Sequence, residues 1–537
     1  MVLVAFVALT FPAYKALRHI GMIEGHDTEA AVFRAQEFYN ALKDGHFPVR
    51  WAKRLDYGLG QPTFTFTYTL PYYLTSVFMF LGADGLLAYK LVMMLSFPLG
   101  AVGVYLWLKD KLGNWPALTA AVSYAYFPYH FANVYVRGAI GETIALSFLP
   151  FSLYALDRLA QNPTWKRTFA AAISIAVVIL SHQFYGFIFS VVWLGYGILK
   201  KEKKIILATV WGYVLCSFYI IPVFAHRNLT YLKQIGEYFL RTQYFTDIPK
   251  LIYSPWGFAA YQELDKDPMS IQIGWFGLVG ILALGIAAVK AKKMEMKKEA
   301  GYFLGVFLVM LFLMLPISLP VWKSVSLLQA LQFPWRLLGV VSLVASFGVG
   351  LLVKQSKTKW FWGSLIIVIV IASSQGYWNV KRYFPYQNPA DTSIGYPGTL
   401  TMLLEETPIW HDIRQEANPY NFATVTYGNA EAKNVVWKTN YHKLTVLAQS
   451  RSIVNDKTHY WPGWEVTVDG KKVDLISPYD QFSLGTLAFW VDPGDHVIES
   501  RLSEPLVNKL ANLISLLAGG AGLVIVARQV ILSRYAD

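Results

Sequence analysis

Long apolar runs separated by short charged ones dominate the chain. About twelve runs, at 2–20, 86–108, 115–131, 140–157, 166–182, 184–199, 203–224, 271–290, 300–316, 334–353, 359–377 and 507–530, approach the roughly 20 residues that a helix needs to cross a bilayer. The pattern predicts a polytopic all-α membrane bundle. Basic clusters punctuate it at Lys109-Asp110-Lys111, Lys166-Arg167, Lys200 to Lys204, Lys290 to Lys298 and Lys354 to Lys359. If each run crosses once, these clusters share one side, which the positive-inside rule assigns to the cytoplasm together with both termini. Tyr68 to Leu81 is also apolar, but it is short, carries Pro71, and as a crossing would put the basic loops outside. It is expected to lie against the outer face or to re-enter from it. Lys15 and Arg18, at the outer end of the first run, go against the rule.

Three external stretches interrupt the apolar pattern. The first, 21–85, mixes acids, bases and aromatics; Ala31, Phe33, Phe38 and Leu42 are spaced among Arg34 and Glu37 as in a helix over Thr28 to Leu42. Asp44-Gly45 and Pro48 mark a break. By itself this stretch reads either as an amphipathic loop on the membrane surface or as half of an active site at the outer face. The second, about 225–270, contains His226, Arg227, Glu237, Arg241, Asp247 and an acidic patch of Glu263, Asp265 and Asp267. The third, 380–505, reads as a small β-sandwich: Phe422–Tyr427, Lys443–Ala448, Trp464–Val468 and His496–Arg501 show strand patterns, with turns at Asp469-Gly470 and Pro493-Gly494. The layout is thus a transmembrane domain over 1–379, an extracytoplasmic β-rich domain over 380–505, and a C-terminal transmembrane helix with a short tail over 506–537.

Composition narrows this picture. Of 537 residues, 55% are hydrophobic and 15% charged, and the net charge of +13 sits largely in the loops expected to face anionic lipid, so no nucleic-acid partner is implied. The one cysteine, Cys216, excludes a disulfide within the chain. Met1 to Leu9 lacks a basic flank and a cleavage pattern, so the first run is expected to be an anchor.

The candidate chemistry lies at outer ends of the runs. Their apolar centres hold almost no acids, and no half-to-half repeat is visible, whereas a lipid or glycan transporter would use ionisable groups near the midplane. A non-catalytic scaffold presenting the β-domain is a further alternative. Asp27 is placed to take a proton from an acceptor hydroxyl or amine, with Glu24, Glu29 or Asp56 as possible helpers. Outer-face bases Arg54, Arg137 and Arg336, with Arg50, Lys53, Lys90 and Lys323, suit a lipid-linked phosphate or form ordinary acid–base pairs and snorkelling contacts. Glu142 is either a second catalytic carboxylate or a first-turn acid favoured by the helix dipole. Tyr57 and His182 complete the candidate substrate contacts; a lone histidine at a span end also fits a structural role. No His/Cys/Asp spacing marks a specific metal site, and no glycine loop cradles phosphate.

The order of Asp27, Arg50-Trp51, Tyr57-Gly58-Leu59-Gly60-Gln61-Pro62-Thr63-Phe64, Leu70-Pro71-Tyr72-Tyr73, Tyr135 to Glu142, Ser181-His182, Leu331 to Arg336 and Tyr460 to Gly470 resembles bacterial membrane proteins labelled pyruvoyl-tetrahydropterin-synthase-related. The last motif, with Pro493 to His496, is similar to the tail of YfhO-type membrane proteins. The likeness spans nearly the whole chain and implies an architecture similar to GT-C glycosyltransferases, whose catalytic acid lies in the first external loop and whose donors are polyprenyl-phosphate sugars. It implies Asp27 as general base or as an acceptor-orienting acid, a membrane-lipid setting, and an extracytoplasmic glycan, lipid or protein as acceptor. Asp27-Thr28-Glu29 lacks the second aspartate of the Asp-x-Asp metal motif, so no residue is assigned to the divalent cation, Mg or Mn, that some relatives use.

Overall fold

The computed structural model describes residues 2–231, 244–259, 268–329, 331–386, 406–412 and 422–534. Every apolar run contains a helix: α1 (Val2–Tyr14), α4 (Gly85–Leu112), α5 (Asn114–Ala125), α6 (Ile140–Gln161), α7 (Trp165–Ser181), α8 (Gln183–Lys200), α9 (Lys203–Leu215), α10 (Ser217–His226), α11 (Trp275–Lys290), α12 (Met294–Met314), α13 (Leu338–Gln355), α14 (Lys359–Ser373) and α15 (Leu506–Arg534). The first external stretch adds α2 (Thr28–Lys43) and α3 (Leu70–Phe80).

The expected count of about twelve crossings is not confirmed by helix length and composition. Among the described residues, three segments are long and apolar enough to cross, Gly85–Leu112, Pro334–Gln355 and Leu506–Ile531. The count reaches five if α9 with its continuation, bent by 64°, and α12 with Pro316–Ser324, bent by 86°, each make one span. Hydropathy registers apolar residues but not where the backbone turns. With 12 and 15 residues, α5 and α14 rise only about 18 and 23 Å, short of a hydrocarbon core of roughly 30 Å. The segment read as re-entrant forms α3, whose 11 residues rise about 16 Å.

Burial separates inner from outer helices. Residues Leu338 to Leu351 of α13 are all buried, and Gly348 lets its backbone meet that of α11 at Gly280, where a Cβ would sit 1.9 Å from a carbonyl oxygen. Small residues at such crossings are the usual means of close helix packing in membranes. By contrast α15 exposes Leu513, Leu516, Leu517, Leu523 and Val524, an apolar surface suited to lipid.

Ionic groups collect at the two ends of α6. Glu142 lies in its first turn and Asp157 near its end, about 23 Å apart along the axis. Asp157 pairs with Lys111 of α4 at 2.5 Å; Lys111 also pairs with Glu299 of α12, and Lys200 of α8 pairs with Glu295 at 2.9 Å. This second set sits beside the basic clusters read from the sequence.

The C-terminal region forms two antiparallel sheets. Strands are β3 (Ala423–Tyr427), β4 (Ala430–Trp437), β5 (Tyr441–Ala448), β6 (Ser452–His459), β7 (Trp464–Val468), β8 (Lys471–Val473), β9 (Thr486–Val491) and β10 (Gly494–Leu502). One sheet runs β4-β5-β10-β7-β8, the other β3-β6-β9. Period-two patterning explains β5: His442, Leu444, Val446 and Ala448 are buried while the intervening positions are more open. Leu444, Val446, Val466 and Ile498 from one sheet share a core with Val454, Leu487, Phe489 and Val491 from the other. A short ribbon pairs β1 (Met22–Ile23) with β2 (Tyr383–Phe384), tying the first external stretch to the entry of this region.

Candidate active site

The start of α2 is fastened to the turn before α6. His26 N–H donates to Val136 O at 2.9 Å and Asp27 N–H to Arg137 O at 2.7 Å. Gly138 makes this approach possible: its φ is +66°, and a Cβ there would lie 2.8 Å from Thr28 N. Ala132–Arg137 winds as a π-helical turn, a form that recurs at functional sites. Asp27 takes the N-cap position of α2, yet its side chain makes no cap bond; it is exposed and enters no ion pair among the described residues. Its charge reaches Arg34, Arg137 and the Tyr68 and Tyr89 hydroxyls.

Behind Asp27 lies a buried ionic set. Glu142 Oε1 forms ion pairs with Arg137 Nη1 at 2.6 Å and Arg336 Nε at 2.9 Å. Its Oε2 accepts from the Tyr129 hydroxyl at 3.0 Å and the Tyr185 hydroxyl at 3.4 Å. Arg137 also donates to Asn133 Oδ1 at 2.7 Å and stacks over Trp335 at 4.8 Å, while Arg336 donates to Leu331 O at 2.9 Å. Two guanidiniums therefore share one carboxylate. His182, between α7 and α8, stacks on Tyr68 at 5.3 Å. Gly141 gives the Tyr68 ring its place, since a Cβ there would fall 2.3 Å from Cζ. A small crevice lined by Phe184, Tyr185, Ile188, Leu331, Arg336 and Leu337 lies beside this set.

Thus Asp27, Arg137, Glu142, His182 and Arg336 are neighbours in space. Arg54 and Tyr57 lie along the loop that turns toward the β-domain. Arg54 Nε is 2.5 Å from Glu37 Oε1, and Tyr57 is half-buried at φ +56°. Of the other candidate bases, Lys53 pairs with Asp44 and Arg50 with Glu504, both at 2.9 Å, as in the acid–base alternative, whereas Lys90 donates to the backbone carbonyls of His19 and Gly21. Glu237, Arg241, Glu263, Asp265 and Asp267 lie outside the described residues.

Sequence reasoning missed two members of this neighbourhood. Arg34 of α2 pairs with Glu406 at 3.1 Å, and Glu406 also accepts from the Thr67 hydroxyl. Burial opposes the Arg34 charge, but Glu406 and nearby groups outweigh it and raise its pKa. Arg34 stands two helical turns from Asp27, a spacing that points to a shared face; Glu406, 372 residues further on, had no local signal. Asp27 and Glu29 belong to no group of three metal-ligand side chains among the described residues.

No curated protein matches the chain in sequence. Among solved structures, the mycobacterial arabinofuranosyltransferase AftD is similar at 15% identity and a TM-score of 0.43, over 70% of this chain and 26% of that one. The Archaeoglobus fulgidus oligosaccharyltransferase in its apo form is similar at 13% identity and a TM-score of 0.46, over 76% of this chain and 60% of that one. The chain thus spans less than two thirds of either protein. A family model described as 6-pyruvoyl-tetrahydropterin synthase related domain; membrane protein matches residues 64–381. That match takes in α3 through α14 and the whole Arg137–Glu142–Arg336 set, and the chain belongs to this family of membrane proteins.

Proposed function

We propose that this membrane protein transfers a sugar from a polyprenyl-phosphate-linked donor to an extracytoplasmic glycan, lipid or protein. One observation carries the reading: the exposed Asp27 carboxylate, outside every ion pair among the described residues, is pinned by its backbone to Arg137. The acceptor hydroxyl attacks the anomeric carbon and its proton passes to Asp27. The bond from that carbon to the donor phosphate oxygen breaks, and the phosphate leaves on its lipid with the electron pair. General-base help of this kind contributes roughly 10²–10⁴-fold. Arg137 and Arg336, two cations for one Glu142, leave positive charge to meet the phosphate. Glu142 holds these arginines, and His182 borders the substrates. The family's description as membrane proteins supports a lipid-linked donor, and the lipid tail would lie against the apolar helices with the site on the outer face.

The test uses the purified full chain in liposomes with labelled polyprenyl-phosphate hexoses and a cell-envelope extract. Transfer by the parent and a loss of at least about 100-fold in Asp27→Asn, with folding intact, is the expected result. Equal transfer by the two proteins would refute the assignment of Asp27.

A further inference from the structure

A second polar cluster lies where the first external stretch meets the β-domain. Asp56 comes from the loop after α2, His459 ends β6, and His411 belongs to the described segment 406–412. Asp56 Oδ2 lies 2.6 Å from His459 Nε2 and 3.1 Å from His411 Nδ1, and the three ligand atoms all fall within 4.8 Å of one another. Asp56 and His459 are fully buried. Asp56 Oδ1 and His459 Nδ1 have no hydrogen-bond partner among the described residues, although both are shut away from solvent. A buried carboxylate oxygen without a partner is costly, and both imidazole contacts here are made by its sister oxygen.

The backbone is shaped to deliver this carboxylate. Asp56 and Tyr57 both adopt the left-handed region, at φ +53° and +56°, and are followed by Gly58 and Gly60 at +85° and +76°. Leu59 O accepts from His459 N–H at 2.8 Å, which fixes the loop to the end of β6. An aspartate held at positive φ against two imidazoles from a different domain is a local expense that hydrophobic packing does not require.

The geometry points to a divalent transition-metal site, with zinc as its fitting occupant, made by Asp56, His411 and His459 and clamping the β-domain to the membrane domain. Two imidazole nitrogens and both oxygens of Asp56 give four donors of the type zinc accepts at about 2.0–2.2 Å. Two of the three ligands are buried and His411 is half-buried, so the site is structural and separate from the chemistry at Asp27. Burial alone would raise the Asp56 pKa; the two histidines outweigh it and hold the carboxyl well below its usual range. A nearby histidine–carboxylate pair, His442 Nδ1 to Asp456 Oδ2 at 2.9 Å, belongs to no such group of three and serves as the internal comparison.

The experiment uses the full chain in detergent micelles, stripped with a chelator and titrated with Co²⁺ and then Zn²⁺. The expected result is one equivalent of Co²⁺ with the visible d–d absorption of a four-coordinate site, bleached by one equivalent of Zn²⁺. Asp56→Asn, which keeps a residue tolerant of the left-handed region, and His459→Gln should each bind less than a tenth of an equivalent. His442→Gln should bind as the parent does. Zinc should raise the Tm of the parent and leave that of Asp56→Asn unmoved. A parent without d–d bands, or binding unreduced in Asp56→Asn, overturns the proposal and leaves a hydrogen-bonded Asp–His–His pin. The parent's spectrum decides the matter even if a variant fails to fold.

Discussion

Asp27 and Glu142 are both acids at the starts of helices, yet their surroundings assign them opposite properties. Glu142 is enclosed by two arginines and two tyrosines; Asp27 stands exposed at the mouth of the same set. Removing one member of a buried ionic set leaves uncompensated charge, so such groups hold architecture as much as chemistry. His46 shows the converse case of a buried neutral group. It follows the C-terminus of α2, and burial first, then the Arg50 charge, lower its pKa to about 4. Protonation therefore favours the unfolded chain: the stabilisation is complete above about pH 6.5 and is lost as pH falls toward 4, by roughly 3 kcal/mol. Thermal unfolding between pH 4 and 7 should show this loss in the parent and a smaller one in His46→Gln.

The turn Tyr135 to Glu142 acts as one device. Its π-helical part presents Arg137, Gly138 admits the start of α2, Gly141 admits Tyr68, and Glu142 closes onto Arg137. The Tyr68 ring has little freedom to yield, being parallel to Tyr72 at 5.8 Å and stacked on His182 at 5.3 Å. Gly141→Ala should therefore cost about 1–3 kcal/mol through overpacking. Gly285→Ala in α11, where an added Cβ meets nothing within 4 Å, should be neutral or slightly stabilising. Comparing the two Tm values separates a steric requirement from a general intolerance of helix substitutions.

Across the molecule, the first external stretch is the joint between bundle and β-domain. Its Trp51 lies 6.5 Å from Trp461 and 6.0 Å from Trp464 in the β-domain core, and Gly60 leaves room for its indole. Trp461 and Trp464 are themselves buried in that core. Asp44 accepts from the Thr439 backbone and hydroxyl at 2.7 and 2.8 Å, and Gln61 donates to Thr407 at 2.9 Å. Trp51→Ala should cost about 3–5 kcal/mol and expose the 422–502 strands to limited proteolysis, whereas Trp115→Ala, at a site 42% exposed, should do neither.

Local pattern and chemistry carry a good part of this protein. Apolar runs mark every major helix of the bundle, and strand patterning marks β5, β7 and β10 but not the edge strand β4, because burial of one face is a property of short stretches. The motifs around Asp27, Glu142, His182 and Arg336 named residues that do lie together. Crossing number was not legible, since a run such as 203–224 reads as one span while the chain bends by 64° within it. Nor was Glu406 beside Arg34, or His459 beside Asp56, 403 residues away in sequence. Such pairings depend on how two domains dock, and a chain position holds no record of which distant side chain will come within hydrogen-bond reach. Residue type determined what each group can do; docking determined which groups act together.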